Sequence, residues 1–180
     1  IPDSVTTIGE GVFEFCEGLE QVTIGKGVTT INPYAFAYCD KLTSITIPQN
    51  VTVIERCAFA NCPSLTNIIV DMDNQYYTND EYGALFNKDK TILIQYPIGN
   101  ARTSYAIPDG VTTIGKNSFA DCVTLTGITL PDSIKTIERS AFSGCDGLRK
   151  IEIPKGITKL GEHIFSHCTN LQEVTIKANI

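Results

Sequence analysis

The chain has 180 residues, 42% hydrophobic and 19% charged, which is enough apolar material for a packed core and too little charge for a disordered segment. Its formal charge is −6 with no basic block, so nucleic acid and anionic membrane are poor partners, and no apolar run approaches the roughly 18 to 20 residues that span a bilayer. The chain opens in mid-pattern at Ile1-Pro2 without a signal peptide, which reads as a piece of something longer.

Similar segments begin at Ile1, Ile24, Ile47, Ile107, Leu130 and Ile153, and a truncated one begins at Ile176. The spacing is 23 residues throughout except for one gap of 60, which divides into a regular unit ending at Ile69 and a 37-residue variant unit over 70–106. Counted from the opening residue of each unit, position 5 holds Val5, Val28, Val51, Val111, Ile134 and Ile157, and position 8 holds Ile8, Ile31, Ile54, Ile114, Ile137 and Leu160. Position 13 is Phe13, Phe36, Phe59, Phe119, Phe142 and Phe165; position 16 is Cys16, Cys39, Cys62, Cys122, Cys145 and Cys168; position 19 is leucine and position 22 valine or isoleucine.

Within a unit, Leu19-x-x-Val22-x-Ile24 ends in the alternation of a strand with one buried face. Pro-Asp-Gly and Pro-Asp-Ser follow as turns, and Val-Thr-x-Ile as an extended segment. The apolar or small residues at positions 8, 12, 13 and 16 fit one or two turns of helix. A single unit cannot bury its own apolar face, so copies must stack. The expected fold is an α/β, right-handed solenoid with a parallel concave sheet, short helical or 3-10 turns opposite it, and a β-hairpin insertion. The pattern predicts one domain over 1–180: regular coils at 1–69 and 107–175, the variant coil at 70–106, and a partial coil at 176–180. At about 4.8 Å per strand, seven coils give a core on the order of 30 to 35 Å long. The end coils carry no polar cap, which suggests a fragment or partner contacts, including self-association, through an open end.

The pattern Leu-x-x-Ile-x-Ile-Pro-x-x-Val-Thr-x-Ile-Gly-x-x-Ala-Phe-x-x-Cys, clearest over Leu42–Cys62 and Leu125–Cys145, resembles the repeat of BspA-like bacterial leucine-rich repeat proteins. The run from Tyr82 to Pro97 resembles a hairpin-bearing variant repeat of that family. The resemblance implies a secreted or surface-anchored protein, with adhesion to host or matrix proteins in some members.

Six of the seven cysteines share one repeat position, so stacking files them into a column beside the phenylalanines, where a thiol packs like a small hydrophobe. Stacked Cβ vectors point the same way, which disfavours disulfides, and no CxxC pair suggests a metal. Cys57 stands outside the column, at a variable position expected to be partly exposed. His163 and His167 are spaced i, i+4, but other units place unrelated residues at the first position, so the pair reads as solvent-facing. These are the only histidines, which leaves a catalytic triad little to draw on. Asp71-Met72-Asp73-Asn74-Gln75 opens like a calcium loop but has Tyr76 where glycine is required and Tyr82 where the bidentate glutamate belongs. No cofactor and no enzymatic activity are expected.

Two surfaces remain as binding candidates. The variant coil holds five of the seven tyrosines, among them Tyr76, Tyr77 and Tyr82, on a hairpin that either covers the solenoid or meets a partner. Ala84-Leu85-Phe86 and Ile92-Leu93-Ile94 flank its polar turn, Asn87-Lys88-Asp89-Lys90. The other surface is the outward row of the concave sheet: Thr23, Thr46, Ile69, Thr129, Lys150, Glu152, Glu173 and Thr175, mostly small and polar. The expected function is a non-catalytic, extracellular or cell-surface module that presents its surface to a host protein or glycan. The alternative is a spacer or self-associating segment with no ligand of its own.

Overall fold

The computed structural model describes residues 1–177. Among these residues fifteen short strands occur: β1 Thr7–Ile8, β2 Thr30–Ile31, β3 Ser44–Ile47, β4 Val53–Ile54, β5 Asn67–Val70, β6 Tyr77–Asn79, β7 Leu85–Asn87, β8 Ile92–Gln95, β9 Ser104–Ala106, β10 Thr113–Ile114, β11 Gly127–Thr129, β12 Thr136–Ile137, β13 Lys150–Ile153, β14 Lys159–Leu160 and β15 Glu173–Ile176. They stack in parallel at two places on each coil. Positions 7 and 8 form one ladder, β1-β2-β4 before the variant coil and β8-β10-β12-β14 after it. Positions 21 to 24 form the other, pairing β3 with β5, β9 with β11 and β13 with β15. Thr30 faces Thr7 and Thr136 faces Thr113, so the 23-residue spacing is the register itself. The threonines of position 6 add a bond of their own. Thr29 and Thr52 each donate both N–H and hydroxyl to the carbonyl one coil earlier, at 2.8 Å from nitrogen and 3.2 and 3.3 Å from oxygen.

The helical turns expected after position 8 are absent: among the described residues there is no helix, and the fold is a β-solenoid of the leucine-rich repeat type. The backbone at positions 11 and 15 explains this. Both are left-handed in every regular coil, at Gly11 and Phe15, Tyr34 and Tyr38, Cys57 and Asn61, Asn117 and Asp121, Ser140 and Gly144, His163 and His167. The N–H groups of positions 11, 13 and 15 point along the stack rather than back to residue i−4. Gly11 donates to Pro33, Phe13 to Ala35 and Phe15 to Ala37, at 2.9 to 3.0 Å; Asn117, Phe119 and Asp121 and then Ser140, Phe142 and Gly144 repeat the set, and Phe36 and Tyr38 repeat it at positions 13 and 15. A non-glycine residue on left-handed backbone costs on the order of 1 kcal/mol, and the cross-coil hydrogen bonds hold it there. Spacing of apolar residues could not separate this stacked turn from a helix, because both place positions 12, 13 and 16 on one side.

The variant coil departs from the period in two opposite ways. Twenty-two residues separate Val70 from Ile92 where six separate Ile107 from Thr113, and 15 separate Ile92 from Ile107 where 17 is the rule. The insertion forms β6 and β7, antiparallel to each other, and β7 runs antiparallel to β8. Alternation along β7 sends Leu85 into the core of the preceding coils and Ala84 and Phe86 into that of the following ones. The hairpin is thus a partition between two cores. Tyr77 closes the ladder it interrupts: its hydroxyl accepts from the Ile54 N–H at 2.9 Å and donates to the Thr52 carbonyl at 3.3 Å. The two-residue shortening falls on the turn side, so coil 3 meets coil 5 there, and Asn117 Nδ2 lies 2.9 Å from Cys57 Sγ.

The phenylalanines stack face to face along the axis. Phe13 lies 5.1 Å from Phe36, Phe36 5.9 Å from Phe59, Phe119 5.1 Å from Phe142, and Phe142 5.7 Å from Phe165. In the variant coil Tyr96 takes this place, 5.2 Å from Phe119, and its N–H donates to Ser118 as Phe36 donates to Ala58. Phe36, Phe59, Phe119 and Phe142 are buried, whereas Phe13 and Phe165 in the outer coils are half-buried. Removing a buried ring leaves a cavity shared by three coils. Phe119→Ala is expected to cost about 3–5 kcal/mol, and Phe13→Ala about half as much, in urea or thermal unfolding. Equal losses would show that burial within the stack is not what sets the cost.

Candidate binding site

The variant coil builds its own polar hub. Asp80 Oδ1 accepts the N–H groups of Tyr82 and Ala84 at 3.0 and 2.9 Å, and Oδ2 accepts the Tyr105 hydroxyl at 2.6 Å. Tyr105 is buried against Tyr96, with centroids 4.9 Å apart, and meets Tyr82 edge-on at 6.0 Å. Burial, and then the hydrogen bond to Asp80, drive its hydroxyl far above the ordinary tyrosine range, so it stays a donor. The Arg102 guanidinium lies over the Tyr82 ring, 3.9 Å from its centroid. Asp80, Tyr82, Arg102 and Tyr105, with Glu81, Lys90, Ser104 and Pro108, line a hollow of about 660 Å³. Among the described residues neither Arg102 nor Lys90 is in an ion pair. A planar cation steadied on an aromatic face can present its edge donors to a carboxylate or hydroxyl at reduced entropic cost.

Sequence reasoning passed over Arg102, yet it had a signal. Arg102 occupies position 19, the leucine of every regular coil, where Leu42, Leu65, Leu125 and Leu148 are buried. A charge in an apolar column marks the coil where the wall opens.

A second hollow of about 480 Å³ adjoins the first through Ser104 and runs across β9, β11, β13 and β15. Thr129, Lys150, Glu152, Glu173 and Thr175 line it, with Lys150 facing Glu173 and Glu152 facing Thr175 on neighbouring strands. Lys177 Nζ stands 3.6 Å from Glu152 and 4.0 Å from Asp132, exposed pairs of small energetic weight. Thr46 and Ile69 pair on β3 and β5, and Thr23 lies in the first coil, so these three are exposed but outside both hollows. Tyr76 is exposed, Tyr77 is bonded into the backbone, and Tyr82 alone of the three enters a hollow.

All seven cysteines are free thiols, and among the described residues no group of three His, Cys, Asp or Glu side chains could hold a metal. Beyond the first coil the column thiols are hydrogen-bonded. Cys39, Cys62, Cys145 and Cys168 donate to the carbonyls of Phe13, Phe36, Phe119 and Phe142 in the preceding coil, at 3.3, 3.1, 3.1 and 2.9 Å. Cys122 follows the variant coil and lies instead 3.9 Å from the Thr124 hydroxyl. Burial pushes Cys39 up to about 11 and Cys62 up to about 12. At the other end, the half-buried Cys168 is held down to about 7, because the Cys145 S–H can turn from the Phe119 carbonyl to the Cys168 thiolate. Cys57, expected to be partly exposed, is only 5% exposed, because coil 5 closes over it with Tyr34, Ala37 and Ala60 alongside. His163 and His167 are exposed on left-handed backbone of a turn, not on one face of a helix.

Stacked coils, two parallel ladders and a leucine-lined core define a leucine-rich repeat solenoid. The sequence matches the BspA type leucine rich repeat region in six copies over residues 1–92 and 99–180, and the chain belongs to that family. No match was found among curated proteins. The solved structure of the pneumococcal vaccine antigen PcpA is 30% identical over 100% of this chain and 50% of its own, with a TM-score of 0.83. A leucine rich cell surface protein of Faecalibacterium prausnitzii is 28% identical over 99% of this chain and 59% of its own, at 0.74. A leucine-rich repeat protein of Eubacterium ventriosum is 27% identical over 97% and 58%, at 0.72. The chain therefore spans about half to three-fifths of these proteins. Proteins of this family are generally non-catalytic, and among the described residues no helix is long and apolar enough to cross a membrane.

In the 180-residue chain, iodoacetamide is expected to label Cys168 first, faster as pH rises through about 7, then Cys16, with the other five thiols reacting only after denaturation. Rapid native labelling of Cys57 would contradict the coil 3 to coil 5 contact. Thiols held neutral in the fold ionise freely when it opens, so their contribution is complete below the ordinary thiol pKa of 9.0 and is lost as pH rises through about 11 and 12. The expected result is a thermal midpoint that falls steadily above pH 9, with a shallower fall in Cys62→Ser.

Proposed function

We propose that this chain is the recognition part of a bacterial surface protein. In this reading it binds a protein or glycan non-catalytically across the face that runs from Tyr82 and Arg102, through Ser104, to Lys150 and Glu173. The observation that carries the reading is the continuity of the two hollows, which share Ser104 and combine a stacked arginine, an exposed lysine and a row of small polar side chains. Solenoids use extended surfaces of this kind for binding. A location outside the cell rests on the family and on the description of one similar structure as a cell surface protein.

Deleting the variant coil is a poor test, because Leu85 and Phe86 belong to the two cores. Point variants avoid this. On a protein and glycan array, the chain is expected to show saturable binding that weakens at least about tenfold in Arg102→Glu and in the pair Lys150→Glu with Glu152→Lys, with thermal midpoints unchanged. Undiminished binding in both variants would remove this face. No ligand at all would favour a spacer.

A further inference from the structure

The turn side of the first two coils carries two aromatic rings that the core does not use. Phe15 is 61% exposed and Tyr38 36%. They stack on each other, with centroids 4.6 Å apart and planes within 15°. Both sit at position 15 on left-handed backbone, at φ 59° and 57°. The same place in later coils holds Asn61, Asp121, Gly144 and His167. Asparagine, aspartate, glycine and histidine are the residue types this conformation favours, whereas a bulky aromatic there is an outlier. Two exposed rings where asparagine suffices bury little apolar area and add strain. An outlier that the fold does not require points to a use outside it.

The first coil is acidic. The first 25 residues carry five carboxylates (Asp3, Glu10, Glu14, Glu17 and Glu20) and no lysine or arginine, against a formal charge of −6 for the whole chain. Glu17 lies two residues past Phe15 and Asp40 two past Tyr38, both exposed at the same position of successive coils, and Lys41 is the one cation within three residues of either ring.

We propose that the Phe15–Tyr38 ridge docks a basic segment of another protein, one that alternates lysine or arginine with apolar residues. Its apolar side chains lie on the ring edges, and its cations meet Glu17 and Asp40 or sit against the rings. The ridge shares no residue with the hollows of the variant coil.

The test titrates the chain with a labelled peptide of alternating lysine and leucine, beside a glutamate–leucine peptide and an all-lysine peptide of the same length. The lysine–leucine peptide should bind, at least about tenfold more tightly than either control, and more weakly in high salt. The double variant Phe15→Asn, Tyr38→Asn should lose at least about tenfold in affinity while its thermal midpoint holds or rises, because asparagine suits the backbone. Wild-type affinity in that variant, equal binding of either control, or a lowered midpoint would each overturn the proposal, the last by showing that the rings serve the fold.

Discussion

Every coil of this chain completes its backbone hydrogen bonds on its neighbour. At positions 6, 7 and 9 the N–H groups reach back one coil; at positions 11, 13 and 15 they reach forward one coil. A coil taken alone would leave these groups to water, so the stack is the smallest unit that satisfies them. The same demand restricts the side chains. Gly27 passes so close to the coil before it that a Cβ would lie 1.8 Å from the Asp3 carbonyl oxygen, and no repacking relieves a clash with backbone. The recurrence of threonine and cysteine has a related cause. Each can donate a second bond to a carbonyl already inside the stack, as Thr52 does to Thr29 and Cys62 to Phe36. Valine or alanine would fill the space without it.

The variant coil shows how such a stack tolerates an interruption. It keeps the strand at position 7 and the ring at position 13, and expels the extra length as a hairpin with one core on each side. Where the hairpin displaces a ladder strand, a tyrosine hydroxyl stands in for backbone at Ile54 and Thr52. The disturbance also frees one coil from the apolar template. Position 19 carries Arg102 in place of leucine, the wall opens, and a hollow of about 660 Å³ forms beside it. A regular stack offers flat, repeating surface; the irregular coil supplies a distinctive shape.

Chemistry on the surface is correspondingly divided. The strand face joins Arg102 and Ser104 to Lys150 and Glu173 through two hollows that share Ser104. The turn edge of the first coils is acidic and aromatic instead. The thiols take no part in either. Cys39, Cys62 and Cys145 are filed inside, bonded to phenylalanine carbonyls, and burial pushes Cys39 and Cys62 well above the ordinary thiol range.

The 23-residue period, the phenylalanine and cysteine positions and the polar turn at Asn87–Lys90 are all written in the order of residues, because a repeat that must lie on its own copy constrains the same positions each time. The choice between helix and stacked turn was not legible there. Positions 8, 12, 13 and 16 suit either, and the outcome depends on which partner takes the N–H groups of positions 11, 13 and 15, which only the neighbouring coil can decide. Nor could counting reveal that an excess of 14 residues combines a long insertion with a two-residue deletion. That deletion, by letting coil 3 touch coil 5, buries Cys57. Local pattern reports what a residue can do within its own coil. Burial, and the hollow beneath Arg102, follow from what the adjacent coils leave open or close.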